Sequence, residues 1–185
     1  MSRALAFLCV AIVLLAARPA ASVSLAVGSH LGFEYIWSDH PETGTSSIFA
    51  WPANALGYQP GLRLAVGDAR HAHELFVDSG LLVIDQAGST LSTIPVLVGY
   101  QHTAWADRPN APFVNVGVGF YREGGSSRSA TSTFFGAGLG LRHVVGDRHG
   151  DVRIEARFDR LLGTTTFGRP ILNTFGLRVG FDLWS

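Results

Sequence analysis

Eight stretches of this chain change character at every residue, and that alternation limits its fold more than any other feature. In "SLAVGSHLGFEYIW" (24–37), Leu25, Val27, Leu31, Phe33, Tyr35 and Trp37 alternate with Gly28, His30, Gly32 and Glu34. The split recurs in "LGYQPGLRLAVG" (56–67), "HELFVDSGLLVI" (73–84), "TIPVLVGYQH" (93–102), "FVNVGVGFY" (113–121), "FFGAGLGLRH" (134–143), "VRIEARFDR" (152–160) and "NTFGLRVGFDLW" (173–184). Two residues is the period of a β-strand, whose successive side chains leave opposite faces of the pleat. No segment has a convincing helical period. One face of each segment is built from large apolar residues, the other from glycine and polar or charged residues.

The connections differ in kind. "GDARHA" (67–72), "AWADRPNA" (104–111) and "VGDRHGD" (145–151) read as compact turns. "SDHPETGTSS" (38–47), "DQAGST" (85–90), "EGGSSRSATS" (123–132) and "LLGTTTFGRPIL" (161–172) are mostly longer and richer in Ser, Thr and Gly. An even number of strands joined by short and long connections in turn predicts an all-β, eight-stranded, antiparallel up-and-down transmembrane barrel.

The decisive matter is which face looks inward. A soluble lipocalin-like barrel would have to hold Phe, Leu, Tyr and Trp from all eight strands in a lumen with room for little more than its own side chains. Its exterior would be dotted with glycine, which weakens an exposed strand and serves no purpose there. With the barrel turned inside out, the large residues meet lipid and the glycine face leaves space in the lumen for long charged side chains. Closure pairs every backbone group. On this parity the lumen holds Arg63, Arg142, Arg153, Arg157 and Arg178 together with Glu34, Glu74, Asp78, Glu155, Asp159 and Asp182. Five positive charges against six negative suit a self-neutralising network, because an unpaired buried charge is costly. Simple antiparallel registers set Arg63 between Glu74 and Asp78, and Glu155 near Arg178. Two aromatic girdles are expected, with Tyr35, Trp37, Phe49 and Trp51 near the outer loops and Tyr100, Trp105 and Trp184 near the opposite end.

The N-terminus bears on the compartment. Arg3, the apolar run "ALAFLCVAIVLLAA" and "RPAAS", with Ala20 and Ser22 at the positions a signal peptidase inspects, read as a cleaved secretory signal over residues 1–22. One domain, residues 23–185, follows it. The only cysteine, Cys9, lies in that signal, so the mature domain has no disulfide or thiolate chemistry. The formal net charge of zero argues against an electrostatic nucleic-acid binder. All 14 basic residues are Arg, a usage that a GC-rich genome explains.

Sites with chemistry are not evident. The glycines of "GAGLG" (136–140) recur at period two within a strand, and no helix follows to form a dinucleotide fingerprint. G-x-S-x-G, H-E-x-x-H and Walker-type sequences are absent. The seven His residues include His71 and His73 in one turn, His149 in another, and His102 and His143 at neighbouring strand ends; they read as scattered rim residues, not as a metal centre. His30 falls in the lumen near Glu34. No catalytic residue, cofactor or metal is assigned.

Together the signal, the eight alternating segments and the closing "FGLRVGFDLW" resemble the small outer-membrane β-barrel proteins of Gram-negative bacteria, of the OmpA-barrel and OmpX type. The resemblance is one of architecture over the whole mature chain. It implies insertion by the outer-membrane barrel assembly machinery, contact with outer-membrane lipid and lipopolysaccharide, a monomer, and N- and C-termini in the periplasm. Ser185 follows Trp184 where a terminal Phe is common in the class. The function expected is non-enzymatic, with the lumen closed by the Arg/Asp/Glu network and the outer loops serving surface interaction or envelope integrity. A narrow channel for small or apolar solutes, a barrel enzyme modifying lipopolysaccharide acyl chains and a soluble periplasmic binder are the alternatives.

Overall fold

Among the described residues ten strands, every pairing antiparallel, belong to one closed sheet. The computed structural model describes residues 23–40, 44–53, 61–80, 82–86, 89–125, 128–147, 149–166 and 168–185. The strands are β1 (Val23–His40), β2 (Gly44–Ala53), β3 (Gly61–Asp68), β4 (His73–Ser79), β5 (Leu82–Gln86), β6 (Ser89–Thr103), β7 (Asn110–Gly124), β8 (Ser129–Val145), β9 (Gly150–Leu161) and β10 (Leu172–Trp184). The ring runs β1-β3-β4-β6-β7-β8-β9-β10 and shuts where β10 pairs with β1. It therefore has eight staves. β2 pairs with the far half of β1, and β5 with the near half of β6, so these two short strands continue staves that β3 and β4 begin.

The register fixes the shape. Paired residues followed once around the ring from Tyr35, through Phe175, Phe158, Ala137, Val116, Tyr100, Leu75 and Val66, return to β1 at Leu25, ten residues nearer its start. A stagger of that size tilts the strands, at about 35–45° for barrels of this kind. Val23 and Ser185 lie at one end, the termini end, with the turns 69–72 and 104–109 and the residues that follow β8; the paired strands β1–β2, β5–β6, β7–β8 and β9–β10 run to the other, the loop end.

Period-two alternation is written into the burial of each well-described strand. In β10, Phe175, Leu177, Val179, Phe181 and Leu183 are exposed, and Gly176, Arg178, Gly180 and Asp182 are buried. β7 and β8 repeat this with Val114, Val116, Val118 and Phe120, and with Phe135, Leu139 and Leu141, facing outward. The exterior is thus an apolar band that no soluble monomer of this size carries as ordinary surface. Among the described residues there is no helix.

Inside, size is complemented strand by strand. Phe76 sits opposite Gly99, Leu97 and Phe134 flank Gly119, Phe113 faces Gly140, Arg178 faces Gly32, and Arg157 lies between Gly138 and Gly176. A Cβ added at Gly99 would run into the Phe76 ring, and one at Gly136 or Gly138 into the carboxylates of Asp159 or Glu155. Glycine is needed here for space. Gly99→Ala is expected to destabilise the folded barrel by about 1–3 kcal/mol, the range for overpacking a filled interior. Adding Phe76→Leu should recover part of that loss; urea unfolding from lipid vesicles measures both.

Several details differ from the sequence reading. The described residues of the predicted loops 38–47, 85–90 and 123–132 are largely strand, paired across each hairpin. The third segment is not continuous: β4 stops at Ser79 and β5 begins at Leu82. Leu56 and Tyr58 of the second segment, the signal expected at 1–22 and the side chain of Trp51 lie outside the described residues. Tyr35, Phe49, Tyr100 and Trp105 are on the outer surface, with Trp37 half-buried beside Tyr35. Trp184 does not join the girdle at its end. It is 5% exposed and turned inward, because position 184 shares the parity of Arg178 and Asp182.

Candidate functional site: a charged, filled lumen

The eleven charged residues expected in the lumen are all buried. They are linked in one unbroken series of alternating charge. Glu34 Oε1 accepts from Arg178 NH2 at 2.9 Å, and the same NH2 donates to Asp159 Oδ2 at 3.2 Å. Arg157 Nε donates to both oxygens of Asp159 at 2.9 Å, and its NH1 to Asn115 Oδ1 at 2.9 Å and Glu155 Oε1 at 3.4 Å. Glu155 Oε2 lies 3.9 Å from Arg153 NH1. Arg153 grips Asp182 with two donors, Nε at 2.6 Å and NH2 at 3.2 Å, the bidentate geometry that makes Arg–carboxylate pairs strong. Asp182 lies 3.9 Å from Arg63 Nε. From Arg63 the series passes to Asp78 at 3.8 Å and to Glu74 at 3.3 Å, and from Glu74 to Arg142 at 3.2 Å. Arg63 also stacks over the Phe76 ring at 3.9 Å.

Two neutral amides stitch the series. Gln101 Nε2 donates to Glu74 Oε2 at 3.1 Å while its Oε1 accepts from Arg63 at 3.2 Å, and Asn115 Nδ2 donates to Glu155 at 3.1 Å. Glu155 stands directly across from Arg178 in the register, yet its carboxylate is paired with Arg157 and Arg153. Long side chains leave a tilted strand at an angle, so register neighbours need not be charge partners.

Both ends of the lumen are filled. At the termini end, Trp184 and His71 stack with ring centroids 4.0 Å apart, and Trp184 Nε1 donates to Asp151 Oδ2 at 2.8 Å. His71 takes a left-handed φ of 53° in its turn. Arg142 NH1 donates to the His71 carbonyl at 2.9 Å and NH2 to that of Ala106 at 3.4 Å, which ties two turns across the opening. At the loop end, Arg169 from the β9–β10 connection reaches Glu123 on β7, with Nε 3.0 Å from both oxygens, and Ser132 on β8 at 2.8 Å. Leu97, Phe134 and Leu161, none of them exposed, pack beneath it with Tyr121.

Sequence reasoning missed part of this interior. Asp151 and Glu123 are buried as well and bring the inward carboxylates to eight; the alternating segments read from the sequence start at Val152 and stop at Tyr121, whereas β9 begins at Gly150 and β7 runs to Gly124, and extending the alternation by a step or two finds both. Phe76, Leu97, Phe113 and Phe134 were missed because large apolar residues were assigned to lipid as a class, although their parity placed them inward. His30 is buried as the parity implies, and His73, His102, His143 and His149 are exposed. Among the described residues no group of three or more His, Cys, Asp or Glu side chains is arranged to hold a metal ion.

A closed eight-stranded antiparallel ring, apolar outside and charged within, is the architecture of the small outer-membrane β-barrels. Among solved structures, Neisserial surface protein A matches with a TM-score of 0.57 and 13% identity over 89% of this chain and 98% of that one. The outer membrane protein OprG from Pseudomonas aeruginosa matches with a TM-score of 0.50 and 10% identity over 89% and 97%. At such identities the likeness is one of fold. No family model and no curated protein matches the sequence.

Proposed function

We propose that the chain is an integral barrel of the outer membrane that acts without catalysis, its lumen sealed by the Arg/Asp/Glu series and its loop-end hairpins turned outward for surface contact or envelope integrity. The termini then lie on the periplasmic side. The observation that carries the reading is the continuity of the charge series from Glu34 to Arg142, stopped by Trp184 and His71 at one end and by Arg169 and Glu123 at the other. Ions crossing such a lumen would have to displace buried, mutually paired guanidinium and carboxylate groups, each costly to leave alone. The apolar exterior supports lipid contact. Outer-membrane lipid and lipopolysaccharide are its proposed surroundings, and the barrel assembly machinery its proposed route of insertion.

Planar bilayers test the reading. Purified barrel, shown to be folded by heat-modifiable gel mobility and retained in outer membranes after carbonate washing, is expected to give no stable single-channel steps. Reproducible conductance from that material would support the channel alternative and overturn the sealed lumen. Release into the soluble fraction would overturn membrane insertion itself.

A further inference from the structure

The rim histidines are not scattered. His73 on β4 and His102 on β6 are direct partners in the register, both exposed on the outward face at the termini end. Their ring centroids are 5.0 Å apart. Tyr100, also outward-facing on β6, places its hydroxyl 2.6 Å from His73 Nδ1. When Nδ1 donates to that oxygen, the lone pair of His73 is on Nε2, the nitrogen left free for a further partner. A hydrogen bond that fixes the tautomer and ring orientation is the usual support of a ligating imidazole.

We propose that His73 and His102 form a two-imidazole site for a borderline divalent cation, Cu2+ or Zn2+, with water completing the coordination and Tyr100 as a positioning residue. The spacing is right for it. With metal–nitrogen bonds of about 2.0–2.1 Å, each ring centroid lies about 3.2 Å from the ion, so two ligands at a tetrahedral angle have centroids about 5 Å apart. The backbone beneath the pair is held in place. Asp68 Oδ1 accepts from the amides of Ala72 at 2.7 Å and His73 at 3.4 Å, and the Thr103 amide donates to the Ala72 carbonyl at 2.9 Å. Imidazole nitrogen favours Cu2+ over Zn2+, whereas Mg2+ and Ca2+ need oxygen ligands that this pair does not offer. The ion would clip strand β4 to β6, a pairing of seven residues, against fifteen between β7 and β8. This inference depends on the fold and not on whether the lumen is sealed.

The test uses the untagged mature barrel, folded in detergent and checked by heat-modifiable mobility. Calorimetric titration with CuSO4 and ZnCl2 is expected to show one ion per chain, Cu2+ bound more tightly than Zn2+, and no heat with MgCl2. The Cu2+ spectrum in electron paramagnetic resonance should carry the splitting of two imidazole nitrogens. His102→Gln should lower the affinity at least tenfold and leave one nitrogen; Tyr100→Phe should weaken binding several-fold with two nitrogens retained. Folded wild-type barrel that binds neither ion, or one-to-one binding that His102→Gln leaves unchanged, would overturn the proposal.

Discussion

Replacing Arg157 by leucine is expected to lower the stability of the folded barrel by about 3–5 kcal/mol, the range for removing one partner of a buried ion pair. Arg157 is 1% exposed and serves three neighbours at once: Asp159 through Nε, and Asn115 and Glu155 through NH1. Leucine fills part of the volume and supplies no donor. Asp159 would keep Arg178 at 3.2 Å, whereas Glu155 would keep the neutral Asn115 amide at 3.1 Å and, as its remaining paired cation, Arg153 at 3.9 Å. The larger part of the loss should therefore arise from Glu155. Two further variants separate charge from shape. Arg157→Lys keeps the charge but lacks the planar fork that spans Asp159 and Asn115, and should fall between wild type and Arg157→Leu. Glu155→Gln added to Arg157→Leu removes the stranded carboxylate and should recover more than 1 kcal/mol, a coupling that two independent sites would not show. Urea unfolding from lipid vesicles, followed by Trp fluorescence, measures all three. An Arg157→Leu barrel within 0.5 kcal/mol of wild type, the spread of ordinary surface changes, would mean that the charge series does not hold the lumen.

What could be read in the sequence, and what could not, follows from the period. A two-residue repeat assigns each side chain to a face without knowledge of any neighbour, so the barrel, its eight staves and the inward parity of eleven charged residues were all legible from alternation. Parity carries no information on how far a strand extends. Asp151 and the strand residues within 38–47 and 123–132 escape the sequence for that reason. Nor does it contain the stagger of ten residues, which is set by pairing across the whole ring. Nor does it say that Glu155, directly across from Arg178, turns its carboxylate to Arg157 two residues along its own strand, or that His73 lies across the sheet from His102. Trp184 shows a different failure. A preference of residue type for the interface was allowed to override the parity of the strand that carries it, although Asp182 and Arg178 already marked that face as interior. The glycines were more informative than they seemed singly. Gly99, Gly119 and Gly140 each face a Phe or Leu, so a row of inward glycines signals that a large side chain stands opposite, whether charged or not.

Ile154→Arg tests the orientation of the whole barrel one residue away from its charged interior. Ile154 is 58% exposed, and its register partners Val179 and Leu141 are exposed and apolar as well. Its chain neighbours Arg153 and Glu155 are buried. In a membrane barrel the new arginine faces hydrocarbon, at about 2–4 kcal/mol near the bilayer midplane and less towards either interface. That is a large share of the roughly 5–15 kcal/mol by which folded domains are stable. The variant is thus expected to insert into vesicles with a reduced heat-modifiable fraction and a lower unfolding midpoint, whereas Ile154→Leu should behave as wild type. A water-soluble barrel predicts the opposite sign, since an exposed isoleucine replaced by arginine relieves apolar surface and should be neutral or favourable. Normal insertion by Ile154→Arg, or better recovery in the soluble fraction, would place water on that face. The lipid-facing reading of Val179, Leu141 and their equivalents on the other strands would then fail with it.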